Sequence, residues 1–448
     1  MTAHTPSYRA LLRNVPVRRL LLSAALARLA GRMFLLTIIL HALEITASPA
    51  FTGWVSFAAL APGLLSSPIS GALLDRLGAA RAIVLDMACS AMLTLLLAIG
   101  GDSPLLLVGL VAAFSLTSPL SGAGVRTLLP RLVPPAMRDR ANALDTLVHG
   151  VVDIIGPSVA GLLVALLGAR LTLLPIAALY VAAALCLHHV AAEAPGGPRR
   201  VAALLQQAAD GLASVARIPT LRGLVACYAL YEVAWGVMMV AVPVMVGQKI
   251  GDGAARDSVT GLLWAGLGTA GILGALLAGH WRALGRERAL IGGGMVTTGL
   301  ALGGAGLAWG WLQGGLPAVA CALIAMGAMA GPIDVSVLTL RQRRTPPERL
   351  GRVLAVSMSL NQSGAPLGAA LGGWLLTYDV GAALPAASLA ACLGAVACWR
   401  LIPPDDAASE DAAPAVAAGE EEPAAVPAGT KRPSAISPGG PSSGGSSC

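Results

Sequence analysis

Residues 52–100 read TGWVSFAALAPGLLSSPISGALLDRLGAARAIVLDMACSAMLTLLLAIG. Two long apolar runs, 52–73 and 80–100, lie on either side of a short charged loop. The core of a bilayer requires about 20 mainly apolar residues in a helix, because each backbone amide there must be bonded within its own segment. Both runs reach that length, so this stretch predicts two membrane-spanning helices joined by a tight polar turn.

Similar apolar runs follow one another up to residue 402. The chain has 56% hydrophobic and 12% charged residues, whereas soluble domains average about 25% charged residues. So little charge cannot hydrate the surface of a 448-residue soluble protein. We therefore predict an all-α membrane protein with twelve transmembrane helices, arranged as two pseudo-symmetric six-helix bundles. The predicted spans are 19–43, 52–73, 80–100, 104–127, 141–167, 170–189, 221–248, 257–280, 288–309, 314–338, 351–377 and 381–402.

Charge and motif content argue against several other classes. The net charge is +7, but the arginines form short clusters between apolar runs and not the continuous basic face that binds nucleic acid, so we expect no nucleic-acid partner. The seven cysteines show no CxxC spacing, and we expect no metal site and no cofactor. The sequence has no nucleotide-binding P-loop and no Ser–His–Asp set, so we predict neither an ATP-driven pump nor an enzyme.

The arginines predict the orientation in the membrane. Loops that remain in the cytoplasm carry an excess of Lys and Arg. The side of the N-terminus holds Arg76, Arg81, Arg131, Arg138, Arg140, Arg199, Arg200, Arg217, Arg222, Arg282, Arg286, Arg288, Arg341, Arg343, Arg344, Arg349 and Arg352. The opposite side holds Arg170, Lys249 and Arg256. We therefore predict a multi-pass protein of the bacterial inner membrane with both termini in the cytoplasm.

Two polar segments lie outside the predicted bundles. Residues 190–220 connect the first bundle, 1–189, to the second, 221–402. An apolar stripe in this linker predicts an amphipathic helix that lies at the cytoplasmic interface. Residues 403–448 are rich in Ala, Pro, Gly, Ser and Glu, a composition that has nothing to bury and predicts a disordered cytoplasmic tail.

An internal repeat supports the division into two halves. Residues 133–140 read VPPAMRDR and residues 345–352 read TPPERLGR. Each loop leads into a helix with glycines around a proline, GPSVAG at 156–161 and GAPLG at 364–368. Repeats of this kind are common in transporters, whose binding site lies between the repeats.

The loop between the second and third predicted spans, GALLDRLGAAR, resembles the signature loop of the major facilitator superfamily, G-x-L-x-D-R-x-G-x-x-R. The resemblance covers roughly residues 10–402 and implies that the loop is a latch between the halves, formed here by Gly71, Asp75, Arg76, Gly78 and Arg81. Physical chemistry agrees, because glycine permits a tight turn and a carboxylate is favoured near a helix N-terminus. The corresponding loop of the second half lacks the aspartate, so the predicted latch is one-sided.

A motif on the fifth predicted helix favours export. Gly156, Pro157 and Gly161 resemble the fifth-helix motif of exporting antiporters in this superfamily, although Val152 and Ala160 stand where that motif usually has glycine. The structural alternative is a proline-bent helix with a small-residue packing face. The overall sequence most resembles bacterial efflux members of this superfamily. The fourth predicted helix, however, lacks the arginine on which many of them rely for proton coupling.

The seventh predicted helix carries the main candidate site. Tyr228, Tyr231, Glu232 and Trp235 lie at i, i+3, i+4 and i+7 and share one helix face. Glu232 lies about 16 Å into this helix, and ionisable groups at membrane depth are functional candidates because they are costly there. A carboxylate among aromatic rings suits a bound cation or a proton. A neutral Glu bonded to a neighbouring helix is the structural alternative.

The first and fifth predicted helices add further ionisable groups. His149 and Asp153 are one turn apart, which suits a proton relay or a structural hydrogen bond. Arg28 and Arg32 are also one turn apart, and we expect them to neutralise Asp153 or Glu232, or to attract an anionic group of a substrate. Three further carboxylates are interpreted as interfacial or helix-capping groups near the inner helix ends: Asp86, Asp145 and Asp334.

These features together predict a monomeric secondary active transporter in the lipid bilayer. We expect proton-coupled efflux of a small drug-like molecule or metabolite by alternating access, with protons or another coupling ion as the driving partner. One alternative is a proton-coupled importer of a small nutrient. An alternative from another class is a non-transporting membrane sensor or assembly protein.

Overall fold

The computed structural model describes residues 8–134, 137–188, 201–280, 286–311, 315–345 and 350–404, which are almost entirely α-helical. The helices of the first half are α1 (Tyr8–Arg13), α2 (Val15–Thr46), α3 (Pro49–Leu77), α4 (Ala79–Gly100), α5 (Pro104–Thr117), α6 (Pro119–Leu132), α7 (Arg138–Leu167) and α8 (Ala169–Leu187). The linker contains α9 (Val201–Arg217). The helices of the second half are α10 (Pro219–Ile250), α11 (Ala254–His280), α12 (Glu287–Trp311), α13 (Gly315–Arg343), α14 (Leu350–Gln362), α15 (Gly364–Leu375) and α16 (Ala383–Leu401). The predicted all-α class is confirmed.

Eleven of the twelve predicted spans are found as continuous segments, and the predicted eleventh span, 351–377, is divided. Within the described residues, eleven helical segments are long and apolar enough to cross a membrane, and the predicted fourth span, although divided at Pro119, is one of them as Pro104–Leu132. The predicted eleventh span is divided at Ser363 into α14 and α15, since Pro366 cannot donate to the carbonyl four residues before it. Ser363 keeps helical angles of φ −64° and ψ −20°, so the interruption is a single residue.

The outer surface of the bundle is apolar. Many large apolar side chains of these helices are exposed, for example Leu105 at 86% and Leu65 at 80%. Soluble monomers rarely expose wide apolar patches. This surface is the one expected of helices that face lipid.

Several helices are longer than the predicted spans. Both α2 and α10 have 32 residues, against the predicted 19–43 and 221–248, and α13 continues to Arg343 instead of ending at residue 338. Apolar runs mark only the hydrocarbon core, whereas real helices extend into the polar headgroup region. The ends of these helices therefore lie beyond the predicted apolar runs.

Within the described residues, the most extensive contacts between the halves are those of α7 with α11 and of α3 with α15, and α3 also contacts α10 and α14. Glycines allow these backbones to touch: a methyl group on Gly161 would lie 2.7 Å from the Cα of Gly261, and one on Gly53 would lie 3.0 Å from the Cα of Gly373. Both contacts lie near the helix ends that adjoin the arginine-poor loops. The halves therefore meet at this end through backbone contacts, without bulky side chains between them.

The linker helix α9 packs against α14 and α10 of the second half and against α3 of the first half. Val215 of α9 is buried together with Leu221 and Val353. This contact gives the predicted amphipathic helix an apolar partner in the second half. The rest of the predicted linker before residue 201, and the predicted tail beyond residue 404, lie outside the described residues.

Candidate functional site

Glu232 lies near the middle of α10, thirteen residues from its beginning, or about 20 Å along the axis. Its side chain is half-buried, and its carboxylate makes no hydrogen bond within the described part of the chain. The charged groups close enough to act on it are Asp334 of α13 and Arg32 of α2. The predicted mid-membrane carboxylate therefore faces one acidic group from its own half and one basic group from the other half.

Asp334 belongs to this site, although the sequence placed it at the inner end of the tenth span. The Tyr228 hydroxyl donates a 2.5 Å hydrogen bond to Asp334 Oδ1, and the Asp334 side chain is exposed. Because α13 continues to Arg343, Asp334 lies nine residues, about 14 Å, from the helix end. The interpretation of Asp334 as an interfacial group did not predict this contact with the candidate site. The apolar residues on both sides of it, Ile333 and Val335, were the available signal.

The aromatic residues of α10 point to different neighbours. The hydroxyl groups of Tyr231 and Thr298 of α12 lie 3.4 Å apart, and Tyr231 is only 1% exposed. The Trp235 ring stacks on Trp264 of α11, with ring centroids 6.3 Å apart. Tyr228 and Glu232 thus face the group on α13, whereas Tyr231 is part of the core and Trp235 is half-buried beside α11.

Arg32 lies near the middle of α2 and is exposed at that depth. The fifth-helix motif makes room for it, since a methyl group on Gly156 of α7 would lie 2.5 Å from Arg32 Cβ. Two glycines of this motif therefore have contacts that a larger residue would disturb: Gly156 against Arg32 and Gly161 against α11. Pro157 lies between them, inside α7.

Arg28 has a different partner from the one predicted. It makes a two-pronged ion pair with Asp145 of α7, with nitrogen–oxygen distances of 2.7 and 3.0 Å. Both side chains are 18% exposed. The pairing predicted between Arg28 and Glu232 is wrong, because the register between α2 and α7 brings Asp145 level with Arg28; the side chain of the other predicted partner, Asp153, lies outside the described residues.

The two residues of the predicted proton relay, His149 and Asp153, lie on α7, one and two turns beyond Asp145. His149 is half-buried there and has partners of its own. The side chain of Asp153 lies outside the described residues. The relay therefore stays a prediction.

The predicted latch loop is a turn centred on one residue. Gly78 ends α3 and precedes α4 with φ +82°, a backbone conformation that disfavours every residue with a Cβ atom. Arg76 and Arg81 beside it are exposed. The surroundings of Gly71 and of the Asp75 side chain lie outside the described residues, so the latch role stays a prediction.

Asp86 of α4 is buried, with 3% exposure. The Ser121 backbone N–H, in the first turn of α6, donates to Asp86 Oδ2 at 3.2 Å. The carboxyl group therefore caps the helix that begins at Pro119. The helix-capping interpretation of Asp86 is correct, but the cap lies inside the bundle and not at its surface.

The comparisons with known proteins agree with this architecture. The sequence profile of the Major Facilitator Superfamily (MFS) matches residues 20–251 and 224–438. The "Uncharacterized MFS-type transporter y4rN" of Sinorhizobium fredii is 45% identical over 406 residues, which cover 89% of this chain and 98% of that protein. The "Multidrug efflux pump Tap" of Mycolicibacterium fortuitum is 28% identical over 334 residues, which cover 71% of this chain and 79% of that pump.

Solved structures of transporters share the fold. A mutant of the nucleoside transporter NupG superposes with a TM-score of 0.71 at 13% identity, over 87% of this chain and 100% of NupG. A D-xylose–proton symporter superposes with a TM-score of 0.63 at 14% identity, over 89% of this chain and 99% of the symporter. Together with the family profile across both halves and the y4rN relative, the fold leads to one conclusion: this chain belongs to the Major Facilitator Superfamily of multi-pass membrane transporters.

Proposed function

We propose that this transporter exports a small drug-like molecule or metabolite in exchange for protons, by alternating access between the halves 1–189 and 221–402. The observation that carries the proposal is Glu232, a mid-membrane carboxylate without a hydrogen bond in the described part of the chain, which faces Arg32 of the opposite half. A group that interacts across the halves can link what it binds to the way the halves move.

The charges suggest how binding and movement are coupled. Ionised Glu232 attracts Arg32 across the interface, whereas Glu232 that has bound a proton or a cationic substrate no longer does. Glu232 and Asp334 repel each other when both are ionised, and that repulsion is strong where water is scarce. A proton and a cationic substrate therefore compete for the same pair of carboxylates, which is the requirement for exchange. The Tyr228 ring beside them adds a cation–π surface.

Two observations favour export. The contacts of Gly156 and Gly161 belong to the motif that resembles the fifth helix of exporting antiporters, and a relative at 28% identity carries the name of a multidrug efflux pump. We also propose that the arginine-rich loops and both termini lie in the cytoplasm of a bacterial cell. Labelling of single cysteines, placed in loops on the two sides of a membrane with intact cells, tests that orientation.

The deciding experiment measures proton movement in proteoliposomes under an imposed pH gradient, while cationic, neutral and anionic compounds are added. We expect compound-dependent proton flux with a preference for cations. The Glu232→Gln protein, shown to be folded by its unfolding temperature, should fall to the level of empty liposomes. Asp102→Asn is the matched control, since it removes an exposed carboxylate whose partner is Arg170 at 2.7 Å.

The results separate the alternatives. Unchanged flux in Glu232→Gln would refute the assignment of this residue. Compound uptake in the direction of proton entry would establish an importer instead. No flux with any compound, in folded protein, would favour a non-transporting role.

A further inference from the structure

Asp86 is a buried carboxyl group that the proposed exchange does not use. Its neighbours are α5, α6 and α8, and α3 adjoins the same region. The titratable groups close to it are Tyr180 of α8 and Cys89 of its own helix. Within the described residues, no cationic side chain forms an ion pair with it. Asp86 therefore lacks the charge partner that Arg28 provides for Asp145.

The carboxyl group lies at the break in the fourth span. Pro119 has no N–H, so the backbone ladder between α5 and α6 is incomplete. The freed groups find partners nearby: the Ser66 hydroxyl donates to the Leu116 carbonyl at 2.8 Å, and the Ser118 hydroxyl donates to the Ser115 carbonyl at 3.1 Å. The Ser121 N–H donates to Asp86 Oδ2. The break is thus stabilised from α3 and from α4.

The second carboxyl oxygen, Oδ1, is buried and has no hydrogen-bond partner among the described residues. Three hydroxyl groups surround the carboxyl group, those of Ser90, Thr117 and Ser121. Two of them have already given away their protons, because Thr117 donates to the Phe114 carbonyl at 3.1 Å and Ser121 to the Ser118 carbonyl at 3.3 Å. Of the three, only the Ser90 hydroxyl is left to donate, and it does not reach hydrogen-bonding geometry with Oδ1.

A bare carboxylate in this setting would keep one buried, desolvated oxygen without a hydrogen bond, which is costly. A proton on Oδ1 changes that oxygen from acceptor to donor and removes the charge, while Oδ2 still accepts from Ser121. We propose that Asp86 binds a proton on Oδ1 in this conformation and is a protonation site at the hinge of the fourth helix, separate from Glu232. The part of the proposal that makes this proton one of the transported protons rests on the proposed function.

The site also has a conformational consequence. When the proton leaves to water, the carboxylate is attracted by the positive N-terminal end of α6, so the hinge tightens. When the proton returns, the attraction weakens and α6 is freer to change its angle to α5. The occupancy of Asp86 is thereby linked to the bend of a helix in the first half.

Infrared spectroscopy of the full-length protein in lipid vesicles at neutral pH tests this assignment without any substrate. The C=O stretching band of protonated carboxyl groups should lose one component in Asp86→Asn and should shift in Asp86→Glu. The same component should remain in Asp102→Asn, whose carboxylate is exposed, and in Glu232→Gln. We expect Asp86→Asn to unfold within a few degrees of the native protein, because asparagine resembles the neutral acid in shape.

Each outcome has one meaning. An unchanged acid band in both Asp86 variants would overturn the proposal, as would sodium-dependent stabilisation of the native protein that Asp86→Asn abolishes, since that result identifies a sodium site. Should Asp86→Asn not fold, the shift in Asp86→Glu decides. An acid band that depends on Asp86 in a protein whose Glu232→Gln variant still exchanges protons would support the Asp86 site while the proposed role of Glu232 fails.

Discussion

The glycine contact between α7 and α11 leads to a quantitative prediction for Gly161→Ala. The added methyl group would lie 2.7 Å from the Cα of Gly261 and 2.8 Å from the carbonyl oxygen of Asp257. Ordinary contacts of this kind are about 3.5 Å or longer, so the two helices must separate by roughly 0.8 Å. Overpacking of this size costs about 1–3 kcal/mol.

The cost applies only to the conformation in which α7 and α11 touch. A conformation with these helix ends apart is unaffected, so the substitution should shift the population toward it by about 5- to 150-fold. Spin labels on cysteines introduced at Leu166 of α7 and Leu262 of α11, in a background without native cysteines, report the separation. Both positions are well exposed, at 70% and 71%. We expect the distance distribution to gain a longer component in Gly161→Ala.

Gly150→Ala is the matched control on the same helix, because a methyl group there meets no atom within 4 Å. It should leave the distance distribution unchanged. A distribution in Gly161→Ala that coincides with that of the control would refute the reasoning, since it would mean that the backbone contact does not hold the halves together.

Two further substitutions test the positioning of the helices by denaturant unfolding in detergent. Arg28→Gln should lower the free energy of unfolding by about 1–3 kcal/mol, because Asp145 keeps a partly buried charge without its partner. Adding Asp145→Asn should recover part of the loss. Equal stability of the single variant and the native protein would contradict the pairing. Gly78→Ala should lower the free energy of unfolding by about 1–2 kcal/mol, since a φ of +82° is strained for alanine. The control, Gly109→Ala in the interior of α5, should raise it by up to about 1 kcal/mol. An unchanged free energy of unfolding in Gly78→Ala would argue against the turn.

Much of the fold could be predicted because lipid imposes one rule on every segment. Apolar runs of sufficient length gave the spans, and the glycines in the charged loop gave the turn at Gly78. The ends of the helices could not be predicted in this way, because polar residues such as those after residue 338 continue a helix without extending its apolar run. Asp334 was missed at the candidate site because its neighbours Tyr228 and Glu232 belong to another helix.

The partners of charged residues could not be predicted for a different reason. Helical periodicity fixes which residues of one helix share a face, as it did for Tyr228 and Glu232. It contains nothing about the register between two helices, which decides whether Arg28 meets Asp145 or Asp153. The contact of Asp86 with the helix break at Pro119 could not be predicted for the same reason. Asp86 belongs to another helix, and the sequence does not show which helices lie side by side.

The forces that hold the halves together differ between the two levels of the membrane. At the arginine-poor end the contacts are backbone against backbone, through Gly53 with Gly373 and Gly161 with Gly261. In lipid such contacts rest on van der Waals packing without a strong hydrophobic drive, so breaking them costs little. The interaction of Arg32 with Glu232 is electrostatic, and in the proposed exchange it disappears when Glu232 binds a proton or a cation. A weak contact that is independent of the ligand, combined with an attraction that depends on it, lets a single binding event decide which conformation is populated.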